Sequence, residues 1–360
     1  MNLKPVSSSV SRIAALVKSS SGCTCPLGNP HVPCFALRTR RNSKPLLTFL
    51  QTRMPAARTG SSGVPSACIF LAITGNSKRG DRISPLMAVL AGDARVLAGD
   101  IIGKTECGPD AFILELQLPA ALEPVTAGRF AMLSPSHGGG PVIPRPFSIY
   151  EQPGSHTVSF LVQVLGPGTR ALEDLEVGES VDCTLPLGQG FDPPPASREL
   201  VMVAGGVGSA PFLAYGRERV RQGAVANTTY LFGARTEDRL YDRARFEAEP
   251  FRTILATDDG SLGYSGSVLD SLADELEAGA VSKDALFCAC GPEGLLHAFA
   301  DFCAARGLEG QISLETYMGC GFGVCNACPV PTRPDGPLGN WPWAKSCLEG
   351  PVFSLEAVSF

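Results

Sequence analysis

From Ala94 to about residue 195, apolar and polar positions alternate in short runs. In "AFILELQLP", Phe112, Leu114, Leu116 and Leu118 share one parity, and Glu115 and Gln117 take the other. "HTVSFLVQVLG" repeats the pattern with Val158, Phe160, Val162 and Val164. A period of two sends alternate side chains to opposite faces. These runs, broken by Gly and Pro, therefore predict a small antiparallel sheet or barrel. "FDPPPAS" reads as the linker that ends it.

The rhythm then changes. "ELVMVAGG" is a short apolar strand, followed by a Gly-rich turn and the helical "APFLAYGRERVRQG". The strands "TTYLFGA" and "FRTILATDDG", the helix "SVLDSLADELEAG", the strand "ALFCACG" and the helix "EGLLHAFADFCAARG" follow, and "QISLET" closes the series. Strands alternating with helices predict βαβ units and a parallel sheet, whose ligands sit at the carboxyl ends of its strands. The expected fold class is multidomain, a β-barrel plus α/β. The barrel takes 87–195, the parallel-sheet domain 196–316, and a small cysteine-rich domain 317–360.

Composition refines this outline. The apolar fraction of 44% is that of an ordinary globular protein. Thirteen cysteines is an odd number, so they cannot all pair within the chain. In a long, enzyme-like chain, clustered cysteines point to metal or redox chemistry in a reducing compartment, here the cytoplasm. Charge divides the chain sharply. The first 80 residues hold eleven of the thirty Lys and Arg and no acid, and the remainder carries a net charge of −16 against −5 for the whole. So acidic a core is no nucleic-acid binder. Residues 1–86 are rich in Ser, Arg and Pro and lack periodicity. They read as a disordered or non-native extension with a start at Met87, or as a transit peptide. "SACIFLAIT" is too short to span a bilayer, so no membrane span is expected.

Candidate chemistry sits at the turns. "VAGGVGSAPF" follows the first strand of the parallel sheet and opens a helix. Gly205, Gly206 and Gly208 let a ligand approach the backbone, although glycines at such turns also serve packing alone. "CGPEGLL" brings Cys290, Gly291 and Pro292 to the end of a later strand, whereas Cys288 and Cys303 read as buried structural thiols. "RPFSIY" offers a permanent cation in Arg145, a ring face in Phe147 and a hydroxyl in Ser148. Its prolines, Pro144 and Pro146, suit a sheet edge. "GPGTR" adds a backbone-accessible turn at Gly168 and Thr169. Near the C-terminus, Cys320, Cys325, Cys328 and Cys347 are spaced C-x4-C-x2-C with a distant fourth. This is the plant-type [2Fe–2S] spacing, with a zinc clasp as the alternative.

In this order the motifs resemble the ferredoxin–NADP reductase superfamily, and within it the electron-transfer subunits of NAD-dependent dihydroorotate dehydrogenase. The resemblance covers roughly residues 92 to 353. It rests on "RPFSI", "LVQVLGPGTR", "PLGQGF", "AGGVGSAPF", "LFGART", "TDDGSLGYSGSV", "CGPEGLL", "MGCGFGVCNAC" and "KSCLEGPVF". It implies an FAD-binding barrel with contacts at Arg145, Pro146, Phe147, Ser148, Leu161, Val162, Gln163, Gly168 and Thr169. It implies NAD on Gly205, Gly206, Gly208, Cys290, Gly291 and Pro292, and a [2Fe–2S] cluster on the four cysteines, with no catalytic acid or base.

The resemblance further implies an FMN-containing catalytic subunit that oxidises dihydroorotate to orotate, two copies of each chain, and electron flow through cluster and FAD to NAD+. The alternatives are a reductase subunit of another complex with the same cofactors, or a zinc-bound interaction module. After "LFGA", Arg235 could meet a 2′-phosphate, but Glu237 and Asp238 would repel one, which favours NAD. The spacer before Cys347 is rich in Pro and Trp. Trp341 and Trp343 read either as a docking surface or as a cover over the cluster.

Overall fold

A computed structural model describes residues 93–136 and 143–359. The expectations placed on residues 1–86 lie outside the described residues.

The first half is one antiparallel sheet. Its strands are β1 (Arg95–Gly108), β2 (Ala111–Gln117), β3 (Phe130–Pro135), β4 (Arg145–Ser148), β5 (Glu151–Gly154) and β6 (Thr157–Gln163). A short helix α1 (Pro167–Glu173) and β7 (Ser180–Leu187) complete it. The seven strands run in the order β4-β3-β7-β1-β2-β6-β5, so β4 and β5 are edges and the sheet is a half-barrel. Alternation governs it as expected. Phe112, Leu114, Leu116, Val158, Phe160 and Val162 fill its interior. The opposite parity is not solvated throughout, because Ala111, Ile113 and Leu161 are buried against the second half.

The second half begins with β8 (Leu200–Gly205), α2 (Ala210–Arg221), β9 (Thr228–Ala234), α3 (Arg243–Glu247) and β10 (Arg252–Thr257). It continues through β11 (Tyr264–Ser265), α4 (Val268–Glu277), β12 (Leu286–Cys290), α5 (Glu293–Arg306) and β13 (Gly310–Ser313). After the cysteine loop come a small hairpin, β14 (Pro329–Pro331) with β15 (Trp343–Lys345), and finally β16 (Val352–Ser354). The sheet order is β11-β10-β9-β8-β12-β13-β16, parallel except for β16, which pairs antiparallel with β13. Strand β16 lies within the segment 317–360 that the sequence sets apart as a third domain. It nevertheless completes the parallel sheet, since Phe353 enters the core under α5. Three residues after a proline carry no periodicity that could have announced this.

The strands of the second sheet are buried on both faces. Phe212, Leu213 and Phe246, from α2 and α3, cover one face together with Ile113, Tyr150 and Leu161 of the half-barrel. Leu272, Leu296 and Phe299, from α4 and α5, cover the other. The linker between the halves is held from inside. Phe191 stacks on Tyr215 with ring centroids 5.2 Å apart. Arg219 is fully buried, and it donates to the carbonyls of Pro194 at 2.8 Å and Arg198 at 2.7 Å. No carboxylate pairs with it among its hydrogen-bond partners; backbone oxygens and the Gln222 amide solvate the cation. Burial draws its pKa below the ordinary arginine value, as a desolvated cation requires.

Truncation of that side chain would leave the linker carbonyls without donors. Arg219→Ala is expected to cost about 2 to 4 kcal/mol of stability. The measurement is the thermal unfolding midpoint, and an unchanged midpoint would show that the linker does not depend on this cation.

Candidate functional site

Turns at the carboxyl ends of the parallel strands converge on the half-barrel. After β8 the chain makes a 3-10 turn, Gly206–Ser209, and enters α2. Three glycines serve that turn in different ways. A methyl group on Gly208 would fall 2.5 Å from the Cα of Gly291, and one on Gly205 would fall 2.7 Å from Leu295 Cδ2 and 3.0 Å from Pro292 Cδ. Both are therefore required where this turn crosses the Cys290–Pro292 turn. Gly206 differs. Its φ is +54°, and the only neighbour within reach of an added methyl is Tyr241 Cε2, at 4.0 Å. Of the three, it is the one that presents bare backbone to open space. Ser209 Oγ, at the mouth of α2, and Thr316 Oγ1, after β13, are buried without a hydrogen-bond partner. Orphaned hydroxyls at this edge fit a polar ligand that supplies the missing bonds. Cys290 is half-buried, and burial pushes its thiol up to about 12, so it is no nucleophile. Cys288 and Cys303 are fully buried, as expected of structural thiols.

A cavity of about 630 Å³ lies beside this edge, lined by Glu106, Glu237, Asp238, Asp242 and Asp259 with Arg243. Arg243 is already paired to Glu237 at 2.9 Å and Glu247 at 3.4 Å. Such a lining suits a ribose diol better than a phosphate dianion.

On the half-barrel side, Arg145, Pro146, Phe147 and Ser148 form the half-buried edge strand β4. The bare Cα of Gly168 lets the Arg145 side chain lie across it, since a methyl there would sit 2.9 Å from Arg145 Nε. Thr169 Oγ1 is turned inward, accepting from the amides of Leu165 at 2.9 Å and Gly166 at 3.1 Å. The fold thus brings the two motifs together while giving the Thr169 hydroxyl a local capping role. Strand β5 pairs with β6 only as far as Ser159, so that edge of β6 has no strand partner from Leu161 onward. The Leu161 and Val162 side chains point into two different cores, leaving their backbone as the part a planar ring could meet.

The Gln163 side chain is spoken for. Its amide donates to Asp110 Oδ2 and to the Tyr241 hydroxyl, each at 3.0 Å. Arg239 donates to Asp110 at 3.0 Å and Tyr241 donates to it at 2.6 Å. Burial alone would raise the Asp110 carboxyl. The bonds from Tyr241, Gln163 and Arg239 outweigh burial and hold it below the usual carboxylate range. Nearby, Tyr150 donates to Asp242 at 2.5 Å, and Arg217 and Arg245 both pair with Glu151. None of these cross-sheet groups could be found from the sequence. Asp110 and Tyr241 are 131 residues apart, and neither stands in a periodic or Gly-rich pattern.

The cysteine loop lies against the back of β3. Cys328 and Cys347 are buried with Phe130, Met132 and Leu187 in one apolar group. Gly321 and Gly323 take φ of +79° and +87°, and a methyl on Gly321 would strike Met132 Sδ at 2.8 Å. The four thiols fall into two pairs. Cys320 receives the amides of Val324 at 3.3 Å and Cys325 at 3.4 Å, while the Cys325 sulfur receives the Cys320 amide at 3.4 Å. The sulfurs of Cys328 and Cys347 are 3.2 Å apart. Among the described residues no three such side chains gather for a single ion. A two-and-two array with amides aimed at sulfur fits a dinuclear cluster better than a zinc tetrahedron. Amides of Ala327 and Cys320 lower the exposed Cys325 thiol to about 7, and burial, with Cys328 beside it, raises Cys347 to about 12.

Outward from the loop, alternation along β14 and β15 buries Val330 and Ala344 and exposes Pro329, Pro331 and Trp343. Trp341 is 71% and Trp343 52% exposed, so neither is a cover packed over the cysteines.

Residues 315–359 match a family profile described as the iron–sulfur cluster binding domain of dihydroorotate dehydrogenase B, and residues 202–301 match the oxidoreductase NAD-binding domain. A Desulforamulus reducens protein named dihydroorotate dehydrogenase B (NAD(+)), electron transfer subunit, is 30% identical over 263 residues, 72% of this chain and 95% of the relative. The chain belongs to this family of electron-transfer subunits. A Listeria monocytogenes serotype 4a subunit of the same name is 34% identical over 242 residues, 65% of this chain and 88% of its own. Among solved structures, an NADH-dependent reduced ferredoxin-NADP oxidoreductase aligns with a TM-score of 0.63 at 24% identity, over 72% of this chain and 89% of that one. That likeness gives the ferredoxin-reductase fold. As an electron-transfer subunit the protein is an oxidoreductase component whose cofactors are FAD, a [2Fe–2S] cluster and NAD, and it serves a catalytic partner subunit.

Because its folded pKa is depressed, Asp110 contributes stability that is present above its unfolded pKa and lost as pH falls through the folded value. Asp110→Asn should therefore lower the melting temperature at pH 7, with the gap to the unaltered protein closing as pH falls through and below the ordinary aspartate range. A gap that persists at low pH would mean the carboxylate is not the stabilising form.

Proposed function

We infer that this chain carries electrons between an FMN-containing partner that oxidises dihydroorotate to orotate and NAD+. The observation that carries the reading is the double use of β3. Phe130 and Met132 stand opposite Ser148 and Pro146 of β4 in the ladder, and the same two side chains pack on Cys328 and Cys347. The proposed flavin strand and the proposed cluster loop thus back onto one strand, as a short electron path needs.

The residues divide the work by chemistry. Arg145, lying across Gly168, supplies a cation for the FAD pyrophosphate, with Thr169 shaping the turn beneath it. Pro146, Phe147 and Ser148 hold the edge against the ring system, and the open edge of β6 from Leu161 through Val162 to Gln163 offers backbone groups to it. Gly206 admits the nicotinamide, while Gly205, Gly208, Cys290, Gly291 and Pro292 set the shape of its floor. Cys320, Cys325, Cys328 and Cys347 would hold the [2Fe–2S] cluster. The acidic lining around Glu237 and Asp259 supports NAD over its 2′-phosphorylated form. When bound, the FAD exchanges a hydride with NAD(H) and single electrons with the cluster, which is cofactor chemistry that the protein orients.

The partner meets the apolar outward face of Pro329, Pro331, Trp341 and Trp343, which adjoins the cluster loop through the Lys345 bond to the Gly323 carbonyl at 2.8 Å. Two copies of each chain form the assembly, and it works in the cytoplasm. No helix among the described residues is long and apolar enough to cross a membrane.

Protein purified without oxygen is expected to show flavin absorption that bleaches with NADH, and a low-temperature [2Fe–2S] EPR signal after reduction. Mixed with the FMN partner, it should form orotate with NAD+ as acceptor. Cys347→Ser should remove the EPR signal and one-electron acceptor reduction but leave NADH bleaching in place. A colourless, zinc-containing preparation would overturn the reading.

A further inference from the structure

The seam between the half-barrel and the parallel sheet is closed at one point by a single buried ring. Tyr241, just ahead of α3, lies with Cε1 where a methyl on Gly108 of β1 would meet it at 2.6 Å. The other edge of the same ring, Cε2, lies 4.0 Å from where a methyl on Gly206 would sit, and no other described atom outside that glycine's own turn comes as near to that point. Its hydroxyl donates to Asp110 Oδ1 at 2.6 Å and accepts from Gln163 Nε2 at 3.0 Å and Arg239 Nη1 at 3.2 Å. Asp110 and Gln163 belong to the half-barrel; Tyr241, Arg239 and Gly206 belong to the other sheet. One side chain thus bonds to the end of β6 and lies beside the space that Gly206 leaves open after β8.

Filling the seam needs only the ring. The hydroxyl adds something else, because partners on both sides of the seam fix it in three directions. Without it, Asp110 still holds Gln163 and Arg239, each at 3.0 Å, so the contact between the halves survives. What is lost is the hydroxyl's three-way hold on the ring.

We propose that Tyr241 is a positioning residue for hydride exchange, its tethered ring setting the separation between the flavin-facing edge of β6 and the nicotinamide turn after β8. This rests on the functional reading above. Hydride exchange moves one hydrogen with its electron pair from the reduced nicotinamide to the flavin, oxidising the first and reducing the second. Such a step demands reacting atoms within about 3 to 3.5 Å, and a displacement of about 1 Å costs on the order of a hundredfold in rate.

The test is Tyr241→Phe in the full-length, cofactor-loaded protein. Two readouts are taken. One is the rate of flavin bleaching by NADH in anaerobic stopped flow. The other is the long-wavelength charge-transfer absorption that appears when a tetrahydronicotinamide analogue of NADH, which cannot give up its hydride, is titrated onto the oxidised protein; it reports ring stacking without turnover. The limiting bleaching rate is expected to fall on the order of ten- to a hundredfold. The NADH concentration for half-maximal rate and the bound FAD should not change, and the charge-transfer band should weaken. The isotope effect with deuterated NADH should rise as the hydride step becomes slower. A variant with the unaltered limiting rate and full band overturns the role of Tyr241, as does a loss explained wholly by released FAD. If the unaltered protein itself fails to bleach with NADH, the functional reading falls instead.

Discussion

Strand β3 is short and faces three ways at once. Its backbone pairs with β7 on one side and with the RPFS edge strand on the other. Ala131 and Leu133 point into the half-barrel, while Phe130 and Met132 point out toward the cysteine loop. The alternation that any strand must obey is what makes this possible. Two side chains of one parity build the interior of a sheet, and two of the other build the wall behind the cysteine loop. A one-residue slip of β3 would exchange the two sets, removing the wall and burying Phe130 and Met132 where smaller groups belong. Register in this strand therefore fixes how the RPFS strand and the cysteine loop stand to one another.

A second constraint joins the halves. One core runs continuously from Ile113 and Leu161 through the strands of the second sheet to α2 and α3. The cross-sheet hydrogen bonds ring that core rather than replace it. Their carboxylates, Asp110, Glu151 and Asp242, each meet an arginine, so their burial leaves no charge unpaired. Buried Arg219 follows a different rule, solvated by backbone carbonyls of the linker that it holds in place.

Much of this was legible in the chain, for physical reasons that can be named. Period-two runs gave β2 and β6, and the strand–helix alternation gave the parallel sheet. The cysteine spacing marked the loop as a metal site, an iron–sulfur cluster first and a zinc clasp as the alternative. What stayed hidden was whatever depends on distant partners. Gly205 and Gly208 also lack side chains for a packing reason, since a methyl on Gly208 would meet the Cys290 and Gly291 backbone and one on Gly205 the Leu295 and Pro292 side chains. The Gln163 side-chain amide, at a position the resemblance assigns to the flavin, bonds to Asp110 and Tyr241. Nothing in a linear pattern marks a carboxylate that will find a tyrosine across a seam.

The return of β16 to the parallel sheet has a mechanical consequence. Cys320 follows β13 and Cys347 precedes β16, so both ends of the cysteine loop are anchored in one sheet while its middle leans on the half-barrel. A metal cluster held by all four thiolates would thus also be a crosslink, joining the chain that leaves β13 to the chain that enters β16 at one margin of the parallel sheet.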